Sequence, residues 1–332
     1  MPSLDILNDD AFSVSSLTAA VNEMEAVPSM LGDEGLFEED GVSTTTIQVE
    51  KKGETLSLVK AGQRGSAGQN NARAKSSLIP FNLIHLPQND AILADSIQNK
   101  RAFGSESDVQ QIQSEVNGVL SGLKANNDAT IEFQRMGAIQ GKILDADNTT
   151  VIENLHTKFN ITQPAQNMAL AVATTKVREL IVAAKRARSK ALGSVLVREW
   201  RCKCSATFFD ALIGHDEVKV AYDRWLEGAA LRGDMDKGFM YGDVLFQVYD
   251  ATVDGKDFIT AGDAYMYPVG VPGMFITRFG PADYMETVNT KGLPYYAKQE
   301  RMRMDKGVDI EVQSNTISLC TRLKGVQKFK LV

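Results

Sequence analysis

Two thiols, Cys202 and Cys204, and three histidines, His85, His156 and His215, are the residues whose types could support catalysis or bind a metal. A strand puts positions i and i+2 on one face, so Cys202 and Cys204 would point the same way. As half of a zinc site they lack a second pair at ligand spacing, and inert core cysteine is the simpler reading. The histidines have no convergent partners for a triad or a metal centre, and packed or surface histidine is the expectation. Asp145-Ala-Asp147-Asn148-Thr149 opens like a calcium loop but lacks its Gly and its distant bidentate Glu, so a hairpin turn explains it better. GQRGSAG, residues 62–68, is no phosphate loop, because no Lys-Ser/Thr closes it and no helix follows at once. No catalytic, cofactor-binding or metal-ligating residue is assigned, no cofactor is expected, and the chain does not read as an enzyme.

Composition narrows the class further. The chain has 332 residues, 36 Lys and Arg against 42 Asp and Glu, a formal charge of -6 and 43% hydrophobic residues. That predicts one large domain or two closely joined ones with a real core. No apolar run approaches the ~20 residues of a membrane span. The acidic start MPSLDILNDDAFSV lacks the basic and apolar regions of a signal peptide, so a cytoplasmic chain is expected. Three cysteines, Cys320 being the third, cannot make a disulfide framework, which fits a reducing compartment. The mild acidity argues against tight nucleic-acid binding, which needs clustered Lys and Arg.

Periodicity outlines the elements. Residues 1 to about 30 are polar, Ser-rich and acidic, the pattern of an arm that is partly ordered or ordered only on a partner. Residues 44–60 read as a hairpin: Ile47 and Val49 alternate with polar residues, Leu56 and Leu58 do so on the return, and Lys52-Gly53 supplies the turn. Residues 61–77 hold almost nothing to bury, and so long a polar loop usually touches something else. Pro80 and Pro87 keep residues 78–86 extended. Residues 107–136 read as a long helix with Val109, Ile112, Val116, Leu120 and Leu123 on one face, and Asn126 and Asn127 mark a kink or break. GKILDADNTTVI, residues 141–152, is a second hairpin. A second helix is predicted over 164–192, with Pro164 near its start and Leu170, Val177, Ile181 and Ala184 inward. Arg178, Lys185, Arg186, Arg188 and Lys190 crowd its last turns, where cations complement the helix dipole. A strand over 194–203, a helix over 206–225 and strands at 244–248, 257–260, 264–269, 274–279, 309–312 and 316–323 complete an α+β chain.

The C-terminal third carries a run of motifs: YGDVLFQVYD (241–250), GDAYMYPVGVPGMFITRFG (262–280), PADYMETVNTKGLPYYAKQ (281–299) and the closing VQSNTISLCTRLKGVQKFKLV. Upstream stand GLFEEDGVSTTTIQVEKKGETLSLVKAGQRG (35–65) and GKILDADNTTVI. This succession resembles the lambda-type phage major capsid proteins, the major capsid protein E family, from about residue 30 to the end. That family has the Hong Kong 97-type capsid fold, shared by tailed-phage shells and encapsulins.

The resemblance implies a subunit that self-assembles into hexamers and pentamers of an icosahedral head around double-stranded DNA, without sequence-specific contact to the DNA. It divides the chain into an N-terminal arm (1–40), an extended loop (41–101) lying over a neighbour, a peripheral domain with a spine helix and a hairpin (102–163), an axial domain (164–290) and return strands of the peripheral domain (291–332). Lys51, Lys52, Arg64, Arg73 and Lys75 become candidates for contact with an adjoining copy, a solvated loop being the alternative. Implied partners are other copies, a scaffolding protein, a portal and a decoration protein, with no membrane. The implied location is the virion, after the host cytoplasm. A precursor shell that expands, with the extended loop and the spine helix as moving parts, is also implied. An encapsulin-like nanocompartment shell is the runner-up.

Overall fold

A computed structural model of the chain describes residues 12–25, 27, 29–51, 77–97, 108–193, 195–232 and 238–332. Along the chain stand helix α1 (Val14–Glu23), the turn α2 (Met30–Asp33), strands β1 (Glu38–Gly41), β2 (Thr46–Lys51), β3 (Ser77–Asn82) and β4 (Ile84–Leu93), the turn α3 (Ala94–Ile97) and helix α4 (Asp108–Gln140). Then come β5 (Lys142–Leu144), β6 (Val151–Asn154), α5 (Leu155–Phe159), β7 (Ala165–Asn167), α6 (Val177–Leu192), β8 (Glu199–Cys204), α7 (Ala206–Gly214) and α8 (Asp216–Arg232). The last elements are β9 (Phe239–Tyr241), β10 (Val244–Val248), β11 (Thr252–Val253), β12 (Lys256–Asp257), β13 (Asp263–Val269), β14 (Phe275–Phe279), β15 (Tyr296–Arg301), β16 (Gly307–Cys320) and β17 (Gln327–Lys330). The chain is α+β, as its residue pattern predicts.

The chain divides into two compact units. The first comprises Met1–Ile47, Asn82–Gln134 and Ile276–Ser318. Its five-stranded sheet runs β1-β14-β16-β15, with β4 also paired to β16. The β16 strand is its axis: β15 and β4 both lie antiparallel to it, Lys298 facing Glu311 and Asp90 facing Ile310. Val116, Leu120 and Leu123 of α4 share a buried cluster with Phe12, Leu17, Val21, Ile92, Ala297, Val308, Ile310 and Val312. Each such side chain, fully buried, is worth roughly 1.5–3 kcal/mol.

The second unit comprises Gln48–Phe81, Arg135–Phe275 and Leu319–Val332. Its six-stranded sheet runs β7-β17-β13-β8-β10-β9. Two pairs are parallel (β7 with β17, β8 with β10) and the other three antiparallel, so the sheet is mixed. Phe208, Phe246, Tyr267 and Phe329 are among its fully buried side chains.

Several expectations need correction. Helix α4 runs through Asn126 and Asn127 without a break. Gln88 makes this possible, giving its Nε2 to Asn127 Oδ1 at 3.3 Å and accepting Asn126 Nδ2 at 3.2 Å. The 164–192 helix begins only at Val177, because Ala165–Asn167 pairs with β17 and the Lys328 N–H donates to the Pro164 carbonyl at 2.8 Å. The 206–225 helix is broken at His215, whose Nδ1 accepts the Glu217 N–H at 3.2 Å and opens α8. The strand expected at 194–203 starts at Glu199, and that at 257–260 ends at Asp257. The two strands expected at 309–312 and 316–323 are the single β16, with polar Gln313, Ser314, Asn315 and Thr316 buried inside it. The partner of β2 is β3, while the return strand expected near Leu56 and Leu58 lies outside the described residues. Of the two alternatives for the arm, its described part fits the partly ordered one: α1 packs on β15 of its own chain.

Candidate functional site

The cysteines, the histidines and Asp147 are packed or bonded within the fold. Cys202 and Cys204 share a face of β8 with their sulfurs 3.8 Å apart, both buried. Burial pushes the Cys202 thiol well up, and neighbouring Cys204 adds to it; burial carries Cys320 to about 12. Neither Cys202 nor Cys320 is poised as a thiolate nucleophile. His85 Nδ1 lies 2.6 Å from Asn315 Oδ1, His156 Nε2 lies 3.2 Å from the Gln140 carbonyl, and His215 Nε2 lies 3.1 Å from the Val172 carbonyl. Asp147 closes the β5–β6 turn by accepting the Thr149 and Thr150 N–H groups, both at 2.8 Å, with Asn148 at φ 59. These bonds, the Thr150 hydroxyl first, hold its carboxyl well below the usual range. Among the described residues no group of three or more His, Cys, Asp or Glu side chains is placed to hold a metal, and no helix is long and apolar enough to cross a membrane.

Three further arrangements stand out: a ribbon, a helix face that holds the arm, and a buried polar strand. The strands β2 and β3 form a two-stranded ribbon of their own. The end of β3 is anchored within its unit by Phe81, buried 5.7 Å from the Phe159 ring, and by Lys158 Nζ donating to the Pro80 carbonyl at 3.1 Å. Lys51 is the last residue of β2. Lys52, Arg64, Arg73 and Lys75 lie outside the described residues. Between the two strands the sequence holds five cations and one acid, Glu54.

A second arrangement escaped the reading of the sequence. Three side chains at four-residue spacing on α4 grip the backbone of the arm. Lys124 Nζ donates to the Met24 carbonyl, Asp128 Oδ2 accepts the Val27 N–H at 3.1 Å, and Glu132 Oε1 accepts the Leu31 N–H at 2.6 Å. Lys124 also lies 5.4 Å from the Tyr295 ring centroid, and the Tyr295 hydroxyl donates to Asp128. Lys124 and Glu132 are each 4% exposed. The visible signals were Ser13, which caps α1 by accepting the Ser16 N–H at 3.3 Å, and the Leu17/Val21 pair one turn apart.

The third is a polar spine in β16. Gln313 Oε1 accepts the Asp283 N–H at 3.1 Å, Ser314 Oγ donates to the Pro294 carbonyl at 2.7 Å, and Asn315 Nδ2 donates to the Pro281 carbonyl at 3.1 Å. They fasten the 281–294 connection, which exposes Met285 (88%) and Val288 (57%). These buried polar side chains find their partners in backbone groups, so they brace the connection they bind.

The sequence model of phage major capsid protein E matches residues 13–331. The major capsid protein of Pseudomonas phage KPP10 is 26% identical over 329 residues, covering 92% of each chain. That of Salmonella phage Felix O1 is 24% identical over 348 residues, covering 94% of each. A solved structure assigned as the capsid protein of a prophage in E. coli CFT073 superimposes with a TM-score of 0.61 at 14% identity, over 96% of this chain and 99% of that one. A phage-related protein from Bordetella bronchiseptica RB50 gives 0.54 at 12%, over 95% and 96%. The structural likeness establishes the Hong Kong 97-type capsid fold. With the family match running through both units, the chain belongs to the phage major capsid protein E family.

Proposed function

We propose that the protein is the major shell subunit of an icosahedral phage head, arranged as hexamers and pentamers around double-stranded DNA that it does not read by sequence. The observation that carries this is the family match along residues 13–331. In this reading residues 41–101 are the extended loop lying over a neighbour, and Lys51, Lys52, Arg64, Arg73 and Lys75 are its contacts with that copy. An isolated two-stranded ribbon is marginal in water, so β2 and β3 gain most from a surface supplied by another subunit. The N-terminal arm (1–40), the peripheral domain (102–163 with return strands 291–332) and the axial domain (164–290) take the family's roles. A scaffolding protein, a portal and a decoration protein are the further partners. The chain passes through the host cytoplasm and ends in the virion, in a shell that expands as it fills.

Purified protein imaged by negative stain decides the main point. Closed particles tens of nanometres wide are expected, and a monomer that persists at high concentration would sink the reading. Replacing residues 52–76 with a short Gly-Ser turn tests the loop. The variant should keep its secondary structure and lose closed particles; particles that still close would remove the loop from the assembly. An encapsulin-like container is told apart by its contents, protein cargo in place of DNA.

A further inference from the structure

The cations gathered at the end of α6 exceed what a helix terminus uses. The dipole effect fades within the last turn, where Lys190 already stands. Arg186 and Lys190 lie one turn apart and exposed, and Arg188 NH1 donates to the Lys324 carbonyl at 3.1 Å, bringing exposed Lys324 to the same corner. Lys185, by contrast, is taken by Asp243 at 2.8 Å.

The same unit is acidic elsewhere. The β5–β6 and β11–β12 hairpins are tied together by Lys256 Nζ, which donates to the Ala146 carbonyl. Their turns expose Asp145 and Asp254, and the end of β12 exposes Asp257. Lys256 offsets only part of this, 3.6 Å from an Asp254 that is 88% exposed.

Strand register sets the two corners apart. Helix α6 leads into the start of β8, and Lys324 precedes the start of β17. Glu199 of β8 faces Val269 at the late end of β13, and Gln327 of β17 faces Met266 at its middle, so Lys324, which precedes Gln327 on a strand antiparallel to β13, stands towards that late end. The far end of β8 is level with the start of β13, Cys204 facing Ala264, and with the end of β10, Val248 facing Cys204. The chain that carries Asp254 and Asp257 joins those two strands there. One strand length, roughly 20 Å for six residues at about 3.3 Å each, separates the cationic end from the anionic one.

We propose that these ends are the two halves of one interface between copies: Arg186, Lys190 and Lys324 of one subunit meet Asp145, Asp254 and Asp257 of the next. Opposite charges at opposite ends of one unit make a head-to-tail contact. Such a contact closes into a ring when its rotation divides a full turn. This rests on the reading of the chain as a shell subunit and names the surface through which its rings close. Exposed ion pairs are individually weak; acting together they select partner and register, and they are screened by salt.

Two full-length variants test it. Arg186→Glu, Lys190→Glu and Lys324→Glu together make both ends acidic. Asp145→Lys, Asp254→Lys and Asp257→Lys together make both ends basic. All six positions are exposed, so far-UV spectra and melting curves should match the parent protein. By native mass spectrometry and sedimentation, each variant alone should lose copy–copy association at least tenfold. Mixing the two should restore association, in rings with an even number of copies only. Undiminished association of either variant, or failure of the mixture to associate, would overturn the inference. The shell reading fails separately, if the parent protein associates in pairs or rings but never closes particles.

Discussion

Gly141 ends α4 at a φ of +81°, and a Cβ there would stand 2.2 Å from His156 Nε2. Gly141→Ala should therefore lose about 1–3 kcal/mol in a urea melt, from left-handed strain and ring displacement together. Burial, ahead of nearby Lys142, holds the His156 imidazole below its ordinary 6.5, although the bond to the Gln140 carbonyl pulls the other way. The unfolded chain then binds the proton first. This contribution to stability is complete above about 6.5 and is lost as pH falls through that value towards the lower folded-state pKa. The melting temperature should drop between pH 7 and pH 5, and drop less in His156→Gln; an equal drop in both would remove His156 as the cause. At Cys202, Cys204 and Cys320, burial predicts that a thiol reagent labels none of them until the chain unfolds.

The α4 grip on the arm and the β16 spine are the decisive elements. Glu132→Ala leaves the buried Leu31 N–H without its acceptor, a loss of about 1–3 kcal/mol. With Lys124→Ala and Asp128→Ala added, residues 24–31 should become the first site cut in limited proteolysis. An uncut arm would mean that α1 alone, through Leu17 and Val21, holds it. Asn315→Leu keeps the branched shape but strands the Pro281 carbonyl, and the expected cost is again about 1–3 kcal/mol. The long periodic helix was legible because its apolar steps of three and four extend over many turns. The 164–176 segment misled because Leu170 and Val177 fit a helical stripe, while β17 offers Ala165–Asn167 a ladder to join. No local signal announces that partner.

For the whole molecule, assembly binds the folded chain and not the unfolded one, so closed shells should melt above free subunits in differential scanning measurements. Equal midpoints at equal concentration would mean that copy–copy contacts add little. The chain's formal charge of -6 says nothing of this behaviour, because it averages a cationic corner at α6 with an anionic one at β11–β12. The distribution is what matters, and only the sheet register places the two corners at opposite ends of one unit. The basic residues of α6 were plain in the sequence, where a helix dipole seemed sufficient to explain them. Lys324, far along the chain, joins them because residues 323–325 pack on α6, with the Arg188 bond among the contacts.

By itself the sequence determined the fold class, the long helix α4 and the hairpin at Asp147. These follow from local periodicity and turn chemistry, both of which are carried by neighbouring residues. Tertiary structure alone decided that the arm lies on its own chain, that β16 runs unbroken through four buried polar residues, and that β7 is a strand. Each of those depends on a hydrogen-bond partner from a distant part of the chain. A polar residue reads as exposed until the backbone group that satisfies it has been brought alongside.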